Sequence, residues 1–471
     1  MGRRVILKGG NLELETQMLR ANLETLKQLG ELEYVNTEVD PKFELGAVLR
    51  YFKNRKPMIF NKVKGYDMPV AGGLFGNRPL YYAMMNGITA ENRIFKFMDA
   101  IANPQPTKLV DYGPIKENII KGNIDIPKIL PCPTSHEHDS SSFITAGMLI
   151  VRDPGTGEIH MAVRRFQING GSSISALVSG HSPALLEQFA EFEKMNKPLE
   201  CAVVLGYDAT FLLASQIGSK RYGLNKYEVD SALRGEPLEL VKCETVDLEV
   251  PAFAEMVLEG HLVPNKRVIE GPFGELMGYY GEIAPNPIMD VKCITHRNDP
   301  IFQHAFPCRE EHFTNGLIRE AELFAAVSNV TVDVKDVNIT IGGGARYHAI
   351  VQIKATKLGD AKTALIAALG SSYDIKHVVV VDEDIDIYDV DSVELALSSR
   401  VQASEDVFII PGARGSGLEA SHIAKGTTDK MGIDATKPVG DEHGDLFEFA
   451  IIPGFEGEID IEKYLPGIKN R

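Results

Sequence analysis

The chain has 471 residues, of which 44% are apolar and 24% charged, so it can bury large cores in two or three domains. Its formal net charge of −16 at pH 7 argues against a surface that neutralises nucleic-acid phosphate. No stretch has the roughly 18 consecutive apolar residues of a membrane span, and the five cysteines are widely spaced with no CxxC pair. The composition therefore predicts a soluble cytoplasmic protein that binds neither nucleic acid nor membrane.

The first part of the chain, residues 1–106, is predicted to form a small α/β domain. Residues 14–30 carry apolar side chains at helical spacing. The alternating stretch ELEYVNTEVD is typical of a strand, and a second helix is expected around Glu44–Tyr51. Pro104 and Pro106 interrupt the pattern and mark the entry to the next domain.

The middle of the chain, residues 107–316, is predicted to be rich in antiparallel strands. Two β-rich runs, FITAGMLIVRD and EIHMAVRRFQI, are joined by a Pro-Gly-Thr-Gly turn and predict a hairpin. The shorter runs SISALVS, LECAVVLG, LELVKCE and MDVKCITHR continue the pattern. We therefore expect an antiparallel sheet or barrel here.

Strands and helices alternate in the last part of the chain, which predicts an α/β domain over residues 317–452. The segment KHVVVVDEDIDIYD contains four consecutive valines followed by an acidic loop. Such a run is typical of a strand covered on both faces of a parallel or mixed sheet. The tail, residues 453–471, has no core pattern of its own, and we expect it to contact a partner subunit.

Two carboxylates flank a tight turn in the segment from Glu270 to Glu275, EGPFGE. Two nearby carboxylates resist ionising together, so one of them should have a raised pKa and could donate a proton near neutral pH. A surface turn with two solvated glutamates is the competing interpretation.

The adjacent pair Arg164 and Arg165 ends a strand that otherwise looks half buried. Alternation places the two side chains on opposite faces, so one should point inward and need an anionic partner. A bound carboxylate, a phosphate or one of the glutamates would serve. An arginine covering a sheet edge is the competing interpretation.

Common catalytic motifs do not explain the remaining candidates. His160, His181 and His312 lack metal-ligand spacing, and a lone histidine is more often a structural hydrogen-bonding residue. The chain also has no Walker loop, nucleophile elbow, HExxH motif or dinucleotide fingerprint. Hydrolase, kinase and dehydrogenase functions are therefore disfavoured.

The segment EGPFGE, followed by MGYYGE, resembles the signature of the UbiD family of decarboxylases. Upstream, ALRGEPLELVKCETVDLEVPAFAEMVLEG resembles the family's approach to that signature. Downstream, ITHRNDPIF, VVVVDEDIDIYD and KMGIDAT occur in the family's order. Motifs of this length in one order are much more specific than a carboxylate pair.

The resemblance implies an α/β (α+β) fold with an N-terminal α/β domain, a central split β-barrel that binds flavin, and a C-terminal α/β domain. It also implies prenylated FMN as cofactor, supplied by a UbiX-type flavin prenyltransferase, and a homodimer or homohexamer. The reaction would be reversible non-oxidative decarboxylation of an unsaturated or aromatic acid. The positions that match the family's catalytic Glu-Arg-Glu network are Glu270, Arg165 and Glu275, with Glu275 as proton donor.

The resemblance further implies a divalent metal, manganese or magnesium, at the flavin phosphate, with potassium nearby. His181 matches a metal ligand, but His160 stands where the family has Asn and Lys226 at or near the position of a Glu. Glu228 could replace that Glu after a local shift, while Lys226 could instead neutralise the phosphate directly. The expected flavin contacts are Arg165, His181, Ser215, and Lys425 or Lys430.

The segment CREEHFTNGLIREAE resembles the branch that acts on furan, pyrrole and polyhydroxylated aromatic acids. In that branch a histidine faces the substrate; His312 matches it, and Arg319 could bind a second anionic group. Anhydromevalonate phosphate is an equally compatible substrate, since Arg309, Arg319 and Arg346 could bind its phosphate.

Two other functions remain open: a non-catalytic UbiD-like subunit of a carboxylase complex, and a split-barrel flavin oxidoreductase. The altered metal positions favour the subunit, whereas the retained Arg165, Glu270 and Glu275 disfavour it. The EGPFGE signature disfavours the oxidoreductase.

Overall fold

The computed structural model describes residues 15–153, 155–178, 183–218, 223–309, 312–330, 332–422, 424, 426–440, 444–450, 452 and 459–467. Its strands, in chain order, are β1 Glu33–Val35, β2 Met58–Phe60, β3 Val70–Gly72, β4 Lys108–Leu109, β5 Asn118–Lys121, β6 Phe143–Arg152, β7 Ile159–Gly170, β8 Ser173–Ala176, β9 Leu199–Leu205, β10 Glu239–Lys242, β11 Glu249–Pro251, β12 Met256–Glu270, β13 Ala284–His296, β14 Phe302–Gln303, β15 Asp333–Ile339, β16 His348–Lys354, β17 His377–Asp382, β18 Val407–Arg414 and β19 Thr427–Ala435.

The α-helices of the described residues are α1 Met18–Gln28, α2 Glu44–Tyr51, α3 Arg78–Ala83, α4 Arg93–Ala102, α5 Ile126–Ile129, α6 Pro183–Lys194, α7 Ala209–Ser215, α8 Lys226–Arg234, α9 Phe313–Ser328, α10 Asp360–Ser371, α11 Val390–Arg400 and α12 Ala403–Asp406. Short 3₁₀ helices span Pro114–Lys116, Gly444–Phe447 and Ile461–Lys463. No helix among these residues is long and apolar enough to cross a membrane.

A closed six-stranded barrel forms the centre of the molecule. Its strands follow the order β12-β9-β6-β7-β8-β13, and β12 also pairs with β13, which closes the ring. The predicted hairpin is confirmed, because β6 pairs antiparallel with β7 on either side of the turn. The register pairs Gly147 with Arg164, and a side-chain carbon at Gly147 would lie 2.5 Å from the Phe166 ring. Glycine therefore permits the close packing of this hairpin.

The C-terminal sheet has the order β15-β16-β17-β19-β18. The four valines of β17 are all buried, and β17 pairs in parallel with both β16 and β19. The prediction of a buried strand in a mixed sheet is therefore confirmed. Apolar side chains suit both faces of such a strand because helices or loops cover both sides.

The first part of the chain forms a small sheet in the order β1-β2-β3-β14. Helix α2 spans Glu44–Tyr51 as predicted, whereas α1 is shorter than the predicted segment and β1 covers three residues. The fourth strand, β14, comes from Phe302–Gln303, far along the chain. This return of the chain joins the first sheet to the barrel.

A buried ion network links the first part of the chain to the last. Glu320 on α9 is fully buried and accepts hydrogen bonds from Arg78 on α3 and Arg93 on α4. Removing one partner of such a network leaves a buried charge uncompensated. The network therefore fixes α3 and α4 against α9, beside the cavity described next.

Candidate active site

The structure brings Arg165, Glu270 and Glu275 into direct contact. Arg165 lies on β7, Glu270 ends β12, and Glu275 follows in the loop after it. The Nε of Arg165 donates to the Glu270 carboxylate at 2.7 Å, and its Nη1 donates to Glu275. The guanidinium also lies 4.7 Å from the centre of the Phe273 ring. We call Arg165, Glu270 and Glu275 the carboxylate triad.

The EGPFGE loop is fixed by hydrogen bonds to neighbouring segments. Gly271 N donates to the Gln167 side chain at 3.1 Å, and Gly274 N donates to Asp139 at 2.9 Å. A side-chain carbon at Gly274 would lie 2.2 Å from a ring nitrogen of His136. Glycine is therefore needed at 274, since the loop passes too close to His136 for any side chain. These contacts hold Glu275 in place.

Burial and neighbouring charges shift the proton affinities of Glu270 and Arg165. Burial raises the pKa of Glu270, although Arg165 works in the opposite direction. Burial opposes the charge on Arg165, but Glu275 and Glu270 outweigh that effect and raise its pKa. Arg165 is therefore firmly charged.

A cavity of about 160 Å³ lies beside the triad. The predicted catalytic residues Arg165 and Glu275 and the predicted substrate-binding residue His312 line this cavity, whereas Arg319 is not among its lining residues. The remaining lining residues are Phe75, Thr145, Val163, Arg164, Leu177, Tyr207, Leu212, Gln216, Phe273, Leu276, Ala305, Phe306, Pro307, Thr314 and Asn315.

His312 precedes α9 and faces the cavity in its neutral form. Burial, together with the charges of Arg346 and Arg319, lowers the pKa of His312 to about 4. Arg319 lies about two turns further along α9 and donates to the Asp374 carboxylate at 2.6 Å, and Arg346 donates to the same oxygen at 3.1 Å. Arg319 therefore already has an anionic partner, which sequence reasoning did not anticipate.

Arg164 belongs to a group of three basic side chains. We call His160, Arg164 and Lys226 the cationic cluster. His160 and Arg164 are four residues apart on β7 and so share a face of the strand. Lys226 begins α8 and is only 4% exposed, and its Nζ donates to the carbonyl oxygens of Met161 at 2.8 Å and Ser215 at 2.7 Å.

The other predicted flavin contacts have varied surroundings. The Ser215 hydroxyl donates to the Leu212 carbonyl oxygen at 2.7 Å. The contact of Ser215 with the cationic cluster is made by its backbone carbonyl oxygen, which accepts from Lys226. Lys430 lies in a separate cleft beside Lys376, where its Nζ donates to two carbonyl oxygens at the end of α10. His181 and Lys425 lie outside the described residues.

The described residues do not fit a divalent cation at the cationic cluster. Within them, no group of three histidine, cysteine, aspartate or glutamate side chains could hold a metal ion. Glu228 follows Lys226 by two residues on α8, and residues with that spacing do not face each other on a helix. The nearby charges of Lys226 and Arg164 would repel a cation. Because His181 lies outside the described residues, the metal set of His160, His181 and Glu228 stays a prediction.

All three parts of the chain match one protein family. Residues 23–101, 108–310 and 312–435 match the N-terminal, Rift-related and C-terminal domains of UbiD, 3-octaprenyl-4-hydroxybenzoate carboxy-lyase. Anhydromevalonate phosphate decarboxylase of Methanosarcina mazei is 36% identical over 431 residues, covering 91% of this chain and 97% of the relative. Phenolic acid decarboxylase of Sedimentibacter hydroxybenzoicus is 31% identical over 453 residues, covering 90% and 92%.

Solved structures show the same architecture. The UbiD-class enzyme HmfF from Pelotomaculum thermopropionicum, in complex with FMN, is 43% identical and superposes with a TM-score of 0.91, covering 95% of this chain and 99% of that one. An evolved dimeric form of HmfF in complex with prFMN is 41% identical, with a TM-score of 0.87 and coverage of 95% and 100%. With the fold, the catalytic signature and the relatives in agreement, this chain belongs to the UbiD family of carboxy-lyases.

Proposed function

We propose that this protein is a reversible, non-oxidative decarboxylase that uses prenylated FMN and acts on an aromatic, heteroaromatic or α,β-unsaturated carboxylic acid. The observation that carries the proposal is the buried guanidinium of Arg165, held between Glu270 and Glu275 at the cavity wall. The FMN and prFMN complexes of HmfF and the decarboxylases among the relatives support it.

Arg165 is the residue that orients the substrate carboxylate. Its guanidinium is charged and reaches the cavity, and a planar guanidinium pairs well with a planar carboxylate. Glu270 is fully buried and accepts from Nε of Arg165. Glu270 therefore acts mainly by holding Arg165 in one orientation.

Glu275 is the proton donor of the triad. Of the two glutamates, Glu275 lines the cavity and is 19% exposed at its side chain, whereas Glu270 is fully buried. Of the two carboxyls, only that of Glu275 reaches the cavity where a substrate carbon would lie. When carbon dioxide leaves, bound prenylated flavin supplies the electron sink that no side chain provides. Glu275 then returns a proton to the carbon that lost the carboxylate.

The cavity wall favours a flat heteroaromatic acid of the furan or pyrrole type. Four aromatic side chains line the cavity, and such surfaces pack well against a planar ring. His312 is neutral at pH 7, so it can exchange a hydrogen bond with a ring heteroatom or a second polar group. Phenolic acids and anhydromevalonate phosphate are the alternatives. The aromatic side chains are Phe75, Tyr207, Phe273 and Phe306.

The assembly and the cofactor supply follow from the same proposal. A UbiX-type flavin prenyltransferase would deliver the prenylated flavin, and the enzyme would act in the cytoplasm as a homodimer or homohexamer. The dimeric state of the evolved HmfF supports an oligomer. Light scattering on the purified protein measures its mass directly.

The first test is an absorbance and mass spectrum of the protein produced together with a UbiX-type prenyltransferase, followed by a substrate panel. We expect about one prenylated flavin per chain and carbon dioxide release from furan or pyrrole carboxylic acids. Dihydroxybenzoic acid and anhydromevalonate phosphate complete the panel. Nicotinamide oxidation by a protein with plain FMN would support an oxidoreductase instead, and a protein that binds no flavin would support a non-catalytic subunit.

A further inference from the structure

The cationic cluster has polar atoms that nothing in the described structure satisfies. The Nε2 of His160 and the Nε and Nη2 of Arg164 are buried and have no hydrogen-bond partner among the described residues. Buried polar groups are nearly always paired in native proteins, and each exception calls for a ligand, a water or a strain. Three unpaired nitrogens in one group indicate a missing acceptor.

Among the described residues, no carboxylate pairs with the charged groups of the cluster. Within that part of the chain, Lys226 donates only to the carbonyl oxygens of Met161 and Ser215, and it begins α8, where the helix end is itself partly positive. Burial, Lys226 and Arg164 together lower the pKa of His160 to about 3. Burial and Arg164 lower the pKa of Lys226 to about 7. An anion placed among these groups would remove the electrostatic cost of burying them.

The position of the cluster relates it to the cavity. Arg164 belongs to the cluster and also lines the cavity. Gln216 lines the cavity too, and its side chain donates to the Ser215 hydroxyl at 2.8 Å. A flavin whose ring system lay beside Arg165 could therefore extend its side chain toward the cluster. The terminal group of that side chain is a phosphate, with up to two negative charges.

We propose that His160, Arg164 and Lys226 bind the cofactor's phosphate directly, without a divalent metal ion between protein and phosphate. This inference rests on the flavin-dependent function proposed above. Lysine and arginine supply two positive charges that match a phosphate dianion, and the unpaired nitrogens of Arg164 and His160 supply donors. Lys226 stands at or near the place where the sequence resemblance calls for a metal-binding carboxylate, so it replaces the metal's charge with its own.

The test compares FMN with riboflavin, which lacks the phosphate. Full-length protein freed of flavin is titrated with each compound in EDTA, and binding is followed by flavin fluorescence. We expect wild-type protein to bind FMN equally well in EDTA and in manganese, with no stoichiometric metal by elemental analysis. Lys226→Met should weaken FMN binding about 10- to 100-fold and leave riboflavin binding unchanged.

Matched variants separate charge from structure. Lys226→Arg keeps the charge and should retain most of the FMN affinity. Lys108→Met removes an exposed lysine on β4 and should change nothing. If Lys226→Met does not fold, two measurements still test the inference: the comparison of FMN with riboflavin binding in Arg164→Gln, and the titration of wild-type protein with FMN in EDTA.

Three results would overturn the inference: a large loss of wild-type FMN binding in EDTA that manganese restores, equal losses of FMN and riboflavin binding in Lys226→Met, or unchanged FMN binding in that variant. A wild-type protein that bound neither FMN nor prenylated FMN under any condition would instead contradict the proposed function itself.

Discussion

Arg164 and Arg165 are neighbours on β7 and both line the cavity, yet their electrostatic surroundings are opposite. Arg165 contacts two carboxylates, and they raise its pKa. Arg164 has buried, unpaired nitrogens, and burial lowers its pKa to about 10. Within the part of the chain that the structure describes, two carboxylates pair with Arg165 and none pairs with Arg164. We infer that the compensated arginine orients the substrate carboxylate beside the proton donor, whereas the uncompensated one binds an anionic group of the cofactor.

The largest expected effect comes from the proton donor on the compensated side. Glu275→Gln keeps the shape and a hydrogen-bonding group but cannot release a proton, so turnover should fall at least about 1,000-fold. Flavin content and melting temperature should stay close to wild type. Steady-state kinetics on prenylated enzyme, with Glu137→Gln as a matched exposed control, measures the effect. Full activity in Glu275→Gln would remove it as the donor.

The second prediction contrasts the two arginines directly. Arg165→Met leaves Glu270 buried without its cation, which should cost about 3–5 kcal/mol of unfolding free energy and abolish turnover. Arg164→Met removes an unpaired buried cation, so the flavin-free protein should be as stable as wild type or more stable. Thermal unfolding of both flavin-free variants provides the measurement. Equal destabilisation by the two substitutions would show that their surroundings do not differ in charge balance.

The smallest effect concerns His312, which lies beside two arginines that share Asp374. Its folded pKa, about 4, is below the ordinary value of 6.5, so the unfolded chain binds more protons at pH between these values. The stability it contributes is present above pH 6.5 and is lost as the pH falls toward 4. His312→Gln should therefore make the flavin-free protein less sensitive to acid. Denaturant unfolding at pH 7, 6 and 5 checks this, and identical pH dependence in variant and wild type would contradict it.

Several features of the fold were predictable because their signals are local. The hairpin of β6 and β7 follows from alternation and turn residues, the helix Glu44–Tyr51 from helical spacing, and the buried strand β17 from four valines. Each depends on a period or a turn that a few neighbouring residues establish. The strand pattern of the middle segment predicted either an antiparallel sheet or a barrel, and the family resemblance specified a barrel.

The candidate site was predictable only in part. The pair Glu270 and Glu275 stood out because two carboxylates flank a turn, and the resemblance connected them with Arg165. Sequence reasoning missed the pairing of Arg319 with Asp374, which is 55 residues away along the chain. The segment SSYDIKH gave no local sign that its aspartate would meet α9. The sequence singled out Arg164 as the neighbour of Arg165, but it gave no sign that the buried nitrogens of Arg164 would have no hydrogen-bond partner among the described residues.

The sequence by itself determined the family, the main secondary structure and which acidic and basic residues are candidates for the site, because these depend on local pattern and residue chemistry. Only the tertiary structure decided which charges are compensated. Whether Lys226 lies beside a carboxylate or beside Arg164, and whether β14 joins the first sheet, depends on segments distant in sequence. Burial by those segments sets the free-energy cost of each unpaired charge, and that cost distinguishes the surroundings of Arg164 from those of Arg165.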